Sequence, residues 1–270
     1  MGTVLSVIIV NYNGLNYLEA CLASLYEKLA GITFEIIIID NASTDGSCAY
    51  IKQHHPRVLL IESIDNLGFG KGNNEAVKIA AGEYLLLINN DTIVLNNLLP
   101  VLDFIKKDST IGAVGIKMLD GNKKYLQSVG KFPDFKGFFK IKNISKAGAD
   151  LEKGNFTKPF YEVDWITGSF LMMPKKVYTA VGGFDEDYFM YVEDVDLGKR
   201  IHDRGYKNIF LPQYSYIHFV GFKKARNPLL IKGYETYIAK HFKGTEAKKM
   251  RLALKINKTV KSLKSFLKTD

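Results

Sequence analysis

Short aliphatic runs alternate with helical segments through the first ninety residues, and this alternation limits the possible folds more than any other feature. The aliphatic runs are Val4–Val10, Phe34–Asp40, Val58–Ile61 and Tyr84–Ile88. The segments between them predict helices at about Leu15–Leu29, Asp45–Gln53 and Gly70–Ala80. Strands that are aliphatic throughout are typical of a parallel sheet buried on both faces by helices. We therefore predict an α/β fold with a mostly parallel central sheet flanked by helices.

The remainder of the chain is less regular in the middle and ordered again towards the end. The predicted segments are an irregular stretch, an apolar strand, two helices and two strands, at Lys117–Glu162, Val163–Met173, Lys175–Val181, Val192–Arg204, Lys207–Phe210 and Tyr214–Phe219. Internal repeats and low-complexity linkers are absent from the sequence. We predict one domain over residues 1–240, made of a first half at 1–95 and a second half at 96–240, followed by a C-terminal helical extension at 241–270.

The net charge of +9 is concentrated near the end of the chain. Residues 240–270 carry ten Lys or Arg against two acids, which leaves the preceding part nearly neutral. A general affinity for nucleic acid is therefore not expected. The segment 246–270 intersperses apolar residues with lysines and predicts a basic amphipathic helix. Such a helix can lie on an anionic membrane surface or pack on the domain, and the sequence leaves both interpretations open.

The compartment is predicted from cysteine usage and from the length of the apolar runs. Cys21 and Cys48 are too few for a disulfide framework, which favours a reducing compartment. No apolar run approaches the roughly 18 residues that span a bilayer. We expect a cytoplasmic protein, with the inner face of the cell membrane as the site of any peripheral attachment.

Polar residues follow all four predicted strands of the first ninety residues. The clusters are Asn11–Gly14, Asp40–Gly46, Asp65–Asn74 and Asn89–Thr92. In a parallel sheet, ligands bind at the carboxyl ends of the strands. The four clusters therefore predict a binding site along one edge of the sheet.

Six sequence blocks in the same order resemble glycosyltransferase family 2, and they are close to its rhamnosyltransferase-like branch. The blocks lie at 7–14, 40–47, 67–74, 83–92, 167–172 and 182–197. They include Asp-Asn-Ala-Ser-Thr-Asp-Gly-Ser in the second block and Tyr-Val-Glu-Asp-Val-Asp-Leu at the end of the last. The resemblance implies a GT-A fold and a metal-dependent, inverting transfer of a sugar from a nucleotide-sugar donor. It also implies that residues 1–95 form the nucleotide-binding half of the domain and residues 96–240 the acceptor half.

The resemblance also implies a set of donor-binding residues. Asp40 corresponds to an aspartate that accepts the base N–H of uracil or thymine, a role that suits a group with acceptors alone. A turn over residues 42–45 is the competing role for Asp40, and Asp45 is expected to cap a helix. The other predicted donor-binding residues are Asn11, Asn66, Gly68, Asn73, Asn74 and Asn90. Asn11 and Asn66 are equally suited to be turn residues.

A divalent metal is implied at Asn89-Asn90-Asp91, the position of the family's Asp-x-Asp motif. Asn89 replaces the first carboxylate, so Asp91 is the one charged ligand within the motif. His218 matches a histidine that ligates the metal in some relatives. Oxygen ligands suit Mg²⁺ or Mn²⁺, and an imidazole favours Mn²⁺. The ion would neutralise the diphosphate leaving group.

The catalytic base is predicted at Asp194, with Glu193 as its rival. An inverting transferase needs a carboxylate that takes the proton from the acceptor hydroxyl. Adjacent residues on a helix point about 100° apart, so one of the two is expected to face the cleft. Asp196 and Arg200 are spaced four residues apart and predict an ion pair on the helix surface. The resemblance places Trp165, Gly168 and Ser169, on the apolar strand, along the donor-sugar and acceptor pocket.

The sequence thus predicts a hexosyltransferase for cell-surface polysaccharide synthesis. The donor is expected to be dTDP-rhamnose or a UDP-hexose, and the acceptor a glycan or a lipid-linked sugar. Two alternatives are a sugar-phosphate nucleotidyltransferase and a non-catalytic nucleotide or glycan binder at the membrane surface. The first normally needs a basic, glycine-rich loop near the N-terminus, and Asn11–Gly14 does not supply one.

Overall fold

A mixed, mostly parallel β-sheet forms the centre of the protein. A computed structural model describes residues 2–139, 144, 146–219 and 226–266. Its strands are β1 Leu5–Asn11, β2 Phe34–Asp40, β3 Leu59–Glu62, β4 Tyr84–Asn89, β5 Thr92–Val94, β6 Ile111–Leu119, β7 Tyr125–Leu126, β8 Val129–Gly130, β9 Tyr161–Val163, β10 Trp165–Ile166, β11 Phe170–Pro174 and β12 Lys207–His218. The main sheet has the order β3-β2-β1-β4-β11-β6-β12-β5, with β7 and β9 paired to β6 and β12. β8 and β10 form a separate pair.

Helices cover both faces of this sheet. They are α1 Leu15–Lys28, α2 Ser47–His54, α3 Phe69–Ile79, α4 Leu99–Lys107, α5 Phe135–Phe139, α6 Ala149–Lys153, α7 Lys175–Ala180, α8 Glu193–Asp203, α9 Arg226–His241 and α10 Gly244–Phe266. Strands β3, β2, β1 and β4 run parallel, and β11 enters antiparallel between β4 and β6. β12 is parallel to β6 and antiparallel to β5. The carboxyl ends of β1, β2, β4 and β12 therefore meet at one edge.

Consecutive residues of each central strand point into two different cores. Val7 and Ile9 pack into the first cluster, with α1 and α4, whereas Ile8 packs into the second, with α3, α7 and α8. All three are fully buried. Burying one such side chain stabilises the fold by about 1.5–3 kcal/mol. The strands lack polar alternation because both of their faces are covered.

A third apolar cluster joins the C-terminal helices to the domain. It contains residues from α5, α8, α9 and α10, including Phe138, Val195, Tyr237 and Leu254. Of the two interpretations that the sequence leaves open for the terminal segment, packing on the domain is observed for the described part of α10. Side chains from Val260 onwards, and Leu267–Asp270 entirely, lie outside the described residues. Within the described chain, no helix is both long and apolar enough to cross a membrane.

The structure confirms the first four strands and three helices of the sequence prediction within two residues at each end. It corrects two later assignments. The two strands predicted from Lys207 to Phe219 are one strand, β12, with a register shift between Leu211 and Ser215. The apolar strand predicted at Val163–Met173 is divided into β9, β10 and β11. Gly168 and Ser169 consequently lie in the turn before β11.

Candidate active site

Three predicted donor-binding residues meet at the carboxyl ends of β1, β2 and β4. Asn11 and Asp40 are directly paired across the β1–β2 ladder. The Asn11 Nδ2 group donates to Asp40 Oδ2 at 2.7 Å, and Asn90 Nδ2 donates to Asn11 Oδ1 at 2.7 Å. Gly14 makes room for this contact, because a Cβ there would lie 1.9 Å from Asn90 Nδ2. The strand register and one glycine thus assemble a polar cluster.

The Asp40 carboxylate also closes a turn. Its Oδ1 atom accepts a hydrogen bond from the backbone N–H of Ser43 at 2.8 Å, and the residue is 1% exposed. A carboxylate has about four acceptor sites, so closing this turn and accepting the N–H of a nucleobase are compatible roles for Asp40. Asp45 accepts hydrogen bonds from the N–H groups of Leu15 at 2.9 Å and Ser47 at 3.0 Å, the first residues of α1 and α2, although the N-cap residues themselves are Gly14 and Gly46.

Tyr12 is a further candidate that the sequence analysis did not single out. Its side chain is 48% exposed next to the buried Asn11. An exposed ring at this position offers a flat surface on which a nucleobase could stack. The signal in the sequence is an aromatic residue between two asparagines at a strand end.

Asn66 and Gly68 shape the turn that leads into α3. The Asn66 side chain accepts from the N–H of Gly68 at 2.9 Å, which is a turn contact. Gly68 has φ +78° and its carbonyl accepts from Asn41 Nδ2 at 2.9 Å. This left-handed conformation favours glycine. The turn thus holds the start of α3 at Asn41, the residue after Asp40, and a direct donor contact by Asn66 or Gly68 remains a prediction.

Asn73 and Asn74 on α3 are occupied within the protein. Asn73 is 1% exposed and donates to the Phe69 carbonyl at 2.9 Å. Asn74 Oδ1 accepts from the Tyr178 hydroxyl and the Phe184 N–H, and Asn74 Nδ2 donates to the Phe184 carbonyl. It also lines a surface cleft of about 350 Å³ beside Glu186. The structure therefore ties Asn74 to the segment around α7 and does not hydrogen-bond it to the cluster formed by Asn11, Asp40 and Asn90.

Asp91 and His218, which are 127 residues apart in the sequence, are adjacent in the structure. The antiparallel pairing of β12 with β5 places His218 opposite Thr92, next to Asp91. His218 Nε2 lies 3.1 Å from Asp91 Oδ1 and 3.2 Å from Asn89 Nδ2. The sheet register thus brings the two predicted metal ligands together.

The pair fits a divalent ion that is completed by other ligands. Two ligands at right angles, each about 2.1 Å from one ion, are separated by about 3 Å. The 3.1 Å between Asp91 and His218 meets that condition. Among the described residues, no group of three or more His, Cys, Asp or Glu side chains could hold a metal. An ion here would depend on diphosphate oxygens and water for its remaining ligands, a donor set that suits Mg²⁺ or Mn²⁺.

Asp194 is held at the start of α8 with its carboxylate on the turn before β11. Its Oδ2 atom accepts from the Gly168 N–H at 3.3 Å, and Oδ1 accepts from the Val195 N–H at 2.9 Å. The Thr167 side chain, which the sequence analysis did not select, lies near enough to Asp194 to lower its pKa. Burial raises the pKa of Asp194 above its ordinary value, and these hydrogen bonds oppose the rise.

Glu193 is more deeply buried than Asp194. It is 6% exposed, and its Oε2 atom is buried without a hydrogen-bond partner. Burial, followed by the charge of Asp194, raises the pKa of Glu193 well above its ordinary value. The half-buried Asp194 is therefore the carboxylate that an acceptor can reach more readily.

The three predicted pocket residues differ in their surroundings. Gly168 contacts Asp194 through its N–H group. Trp165 donates to the Lys131 carbonyl at 3.0 Å and packs on α8. Ser169 is 4% exposed and hydrogen-bonded to the Tyr216 hydroxyl at 2.7 Å. Gly168 is thus the member of the three that touches a predicted catalytic group.

The ion pair between Asp196 and Arg200 forms, but the prediction that it lies on the helix surface is wrong. Asp196 is 1% exposed, and Arg200 Nε donates to its Oδ2 atom at 2.7 Å. His241 Nε2 lies 2.7 Å from the other carboxylate oxygen. The spacing of four residues correctly predicted the pair, whereas the covering helix α9 comes from a distant part of the sequence.

Solved structures show that the fold is that of the GT-A glycosyltransferases. GalNAc-T7 with UDP, GalNAc and Mn²⁺ matches 87% of this chain with a TM-score of 0.65 and 19% identity, and the chain spans 47% of that structure. A mannosyltransferase from Pyrobaculum calidifontis with GDP-Man and Mn²⁺ matches 94% of this chain and 73% of its own, with a TM-score of 0.61 and 18% identity. S. aureus TarS 1–349 with UDP-GlcNAc matches 94% and 71%, with a TM-score of 0.62 and 18% identity.

The family follows from sequence. The family model described as "Glycosyl transferase family 2" matches residues 6–177, so the chain belongs to this family and is a glycosyltransferase. It is 27% identical to N-acetylglucosaminyl-diphospho-decaprenol L-rhamnosyltransferase of Mycobacterium tuberculosis, over 91% of this chain and 83% of that protein. It is also 27% identical to rhamnosyltransferase WbbL of Escherichia coli strain K12, over 79% and 82%. The family assignment decides against the nucleotidyltransferase alternative.

Proposed function

We propose that this protein is an inverting, metal-dependent rhamnosyltransferase that uses dTDP-rhamnose and a lipid-linked sugar acceptor in cell-surface polysaccharide synthesis. The observation that carries the proposal is the position of the Asp194 carboxylate. It accepts a hydrogen bond from the Gly168 N–H, in the turn before β11. The choice of sugar is supported by the two relatives named as rhamnosyltransferases, which this chain matches over most of their length. A UDP-hexose is the alternative donor.

The residues divide the proposed reaction between them. The cluster of Asn11, Asp40 and Asn90 seats the nucleoside, and Asp91 with His218 faces the diphosphate. A bound divalent ion would supply positive charge to the leaving diphosphate. Asp194 removes the proton from the acceptor hydroxyl as its oxygen attacks the anomeric carbon. The new C–O bond forms, the bond from carbon to phosphate oxygen breaks, and the nucleoside diphosphate leaves with the electron pair.

A panel of donors tests the proposal directly. The purified protein is incubated with dTDP-rhamnose, UDP-glucose, UDP-GlcNAc or GDP-mannose, each with Mn²⁺ and a short-chain polyprenyl-diphospho-GlcNAc acceptor. We expect a product that carries one added rhamnose, detected by mass spectrometry, with dTDP-rhamnose alone. Transfer from a UDP-hexose would replace the proposed sugar, and no transfer from any donor would contradict the proposed acceptor.

The outer face of α10 supports a membrane location for this acceptor. Met250 and Leu254 are 4% and 2% exposed, within the C-terminal apolar cluster. Leu252 and Ile256, which are four residues apart and share the opposite face, are 59% and 41% exposed. One helix thus packs on the domain and also presents large apolar side chains to solvent.

Lysines surround the two exposed apolar residues. Lys248, Lys249 and Lys255 lie three or four residues from Leu252 and are exposed. Apolar side chains ringed by cations suit a surface of anionic lipid headgroups over acyl chains. We include in the proposal that this outer face of α10 binds the anionic inner surface of the cell membrane.

Replacing Leu252 and Ile256 together by Gln is expected to weaken binding to phosphatidylglycerol-containing vesicles by at least about tenfold, because two apolar insertions are lost. Co-sedimentation with vesicles measures the bound fraction. The matched control replaces Leu59 and Ile79 by Gln, since these residues are also 43% and 50% exposed but lie elsewhere. If both double variants bound the vesicles equally, α10 would pack on the domain without a role in membrane binding.

A further inference from the structure

The backbone immediately before the catalytic helix is strained. Tyr191 and Val192 have φ +70° and +74°, and neither is glycine. Left-handed φ values are unfavourable for residues with a Cβ, most of all for a β-branched residue such as Val192. Glu193 and Asp194 follow directly as the first two residues of α8. Such conformations persist only where contacts with the surrounding structure enforce them.

Helix α9 crosses the strained segment at a glycine. A Cβ on Gly233 would lie 2.6 Å from the Tyr191 carbonyl oxygen and 2.8 Å from a methyl of Val192. The backbone of α9 therefore touches residues 191 and 192 directly. Val192 is 3% exposed and belongs to the same apolar cluster as Tyr237 of α9.

The end of α9 also holds the two segments that flank the strained residues. Lys240 Nζ binds Asp185 at 2.7 Å and Asp187 at 2.6 Å, in the loop before the strained segment. His241 Nε2 lies 2.7 Å from Oδ1 of the buried Asp196, two residues after Asp194. Three contacts from one helix thus fix the loop, the strained residues and the first turn of α8.

We propose that α9 is a brace that holds Tyr191 and Val192 in their left-handed conformation, and that Gly233 and His241 are thereby positioning residues for Asp194. The inference rests on the proposed role of Asp194 as the base. Both residues lie beyond residues 6–177, the part of the chain that the family model matches. The brace gives α9 a part in catalysis, although its side chains need not touch either substrate.

The variants His241→Ala, His241→Gln and Gly233→Ala test the brace in the full-length protein. His241→Ala and Gly233→Ala are expected to lower kcat by about 10- to 100-fold, the range that a displacement of about 1 Å can produce. The KM for dTDP-rhamnose and the number of dTDP molecules bound per chain, measured by calorimetry, should not change. His241→Gln should recover part of kcat, because its side-chain amide can still donate to Asp196. Lys232→Ala, on the exposed face of α9, is the matched control.

Hydrogen exchange of the backbone gives a readout that does not need the donor. In the described structure the Asp196 N–H donates to the Val192 carbonyl at 2.9 Å. His241→Ala should accelerate exchange across residues 191–196, and Lys232→Ala should not. Unchanged exchange with an unchanged kcat would overturn the brace, as would a fall in kcat matched by an equal fall in dTDP bound per chain. An active Asp194→Asn variant would instead refute the proposed base. The exchange measurement would still test the brace, because it does not depend on the role of Asp194.

Discussion

Asp194→Asn is expected to lower kcat by about 10²–10⁴-fold, the contribution typical of a positioned general base. Asparagine preserves the size of the side chain and can still accept from the Gly168 N–H, but it cannot take the acceptor proton. Donor binding should therefore persist, because the cluster of Asn11, Asp40 and Asn90 is untouched. Initial rates of transfer measure kcat, and calorimetry with dTDP measures binding.

Glu193→Gln separates the two neighbouring carboxylates. If Asp194 is the base, Glu193→Gln should retain far more activity than Asp194→Asn. Asp203→Asn, in the last turn of the same helix and paired with Lys199, is the matched control for loss of one acidic residue from α8. A loss of activity in Glu193→Gln with little effect in Asp194→Asn would transfer the role to Glu193.

The raised pKa of Asp194 fixes the direction of the pH dependence. A base must be ionised, so kcat/KM should fall as pH decreases through this pKa, which lies above the ordinary aspartate value of 3.8. The rise reflects burial of the carboxylate, which disfavours its charged form. The residual kcat/KM of Asp194→Asn should not show this fall as the pH decreases. An identical pH profile in the variant would show that another group titrates.

The edge of the sheet was predictable because its determinants are local. Asn11 and Asp40 each end an aliphatic strand, and parallel pairing then brings their side chains together. The contact between Asp91 and His218 required the family resemblance, because it depends on a β12–β5 register that no local pattern specifies. Local signals therefore predicted the first half of the site, and tertiary pairing determined the second.

The contacts by which α9 acts as a brace had no comparable signal in the sequence. Asp196 precedes Arg200 by four residues, a spacing typical of exposed helix pairs, but it is buried where Tyr188 and, from α9, His241 contact its carboxylate. Gly233 is one glycine within a helix. It is needed because a Cβ there would lie 2.6 Å from the Tyr191 carbonyl oxygen, a contact that the sequence does not reveal. The left-handed φ of Val192 contradicts the preference of a β-branched residue, so the sequence pointed away from it. Long-range packing overrode local preference at these three positions.

If the protein uses the proposed divalent ion at Asp91, removing the ion or Asp91 is expected to abolish most activity. Charge stabilisation by a divalent ion is worth several kcal/mol, which corresponds to a rate loss of about 10²-fold or more. Excess EDTA should therefore inhibit the wild-type protein, and added Mn²⁺ should restore it. Asp91→Ala should show a similar loss that Mn²⁺ restores poorly, because His218 and Asn89 carry no formal negative charge.

The affinity for dTDP tests the metal site without relying on catalysis. In the wild-type protein, dTDP should bind more tightly with Mn²⁺ than in EDTA, because an ion held by Asp91 would add positive charge beside the diphosphate. Asp91→Ala should lose this difference, and His218→Ala should reduce the advantage of Mn²⁺ over Mg²⁺, since imidazole favours Mn²⁺. The matched control is Asp108→Asn, in a turn with Thr110 just before β6, at the opposite edge of the sheet. Equal affinity and activity with Mn²⁺ and with EDTA would refute the metal site, and the Asp91–His218 contact would then be a polar contact that shapes the edge of the sheet.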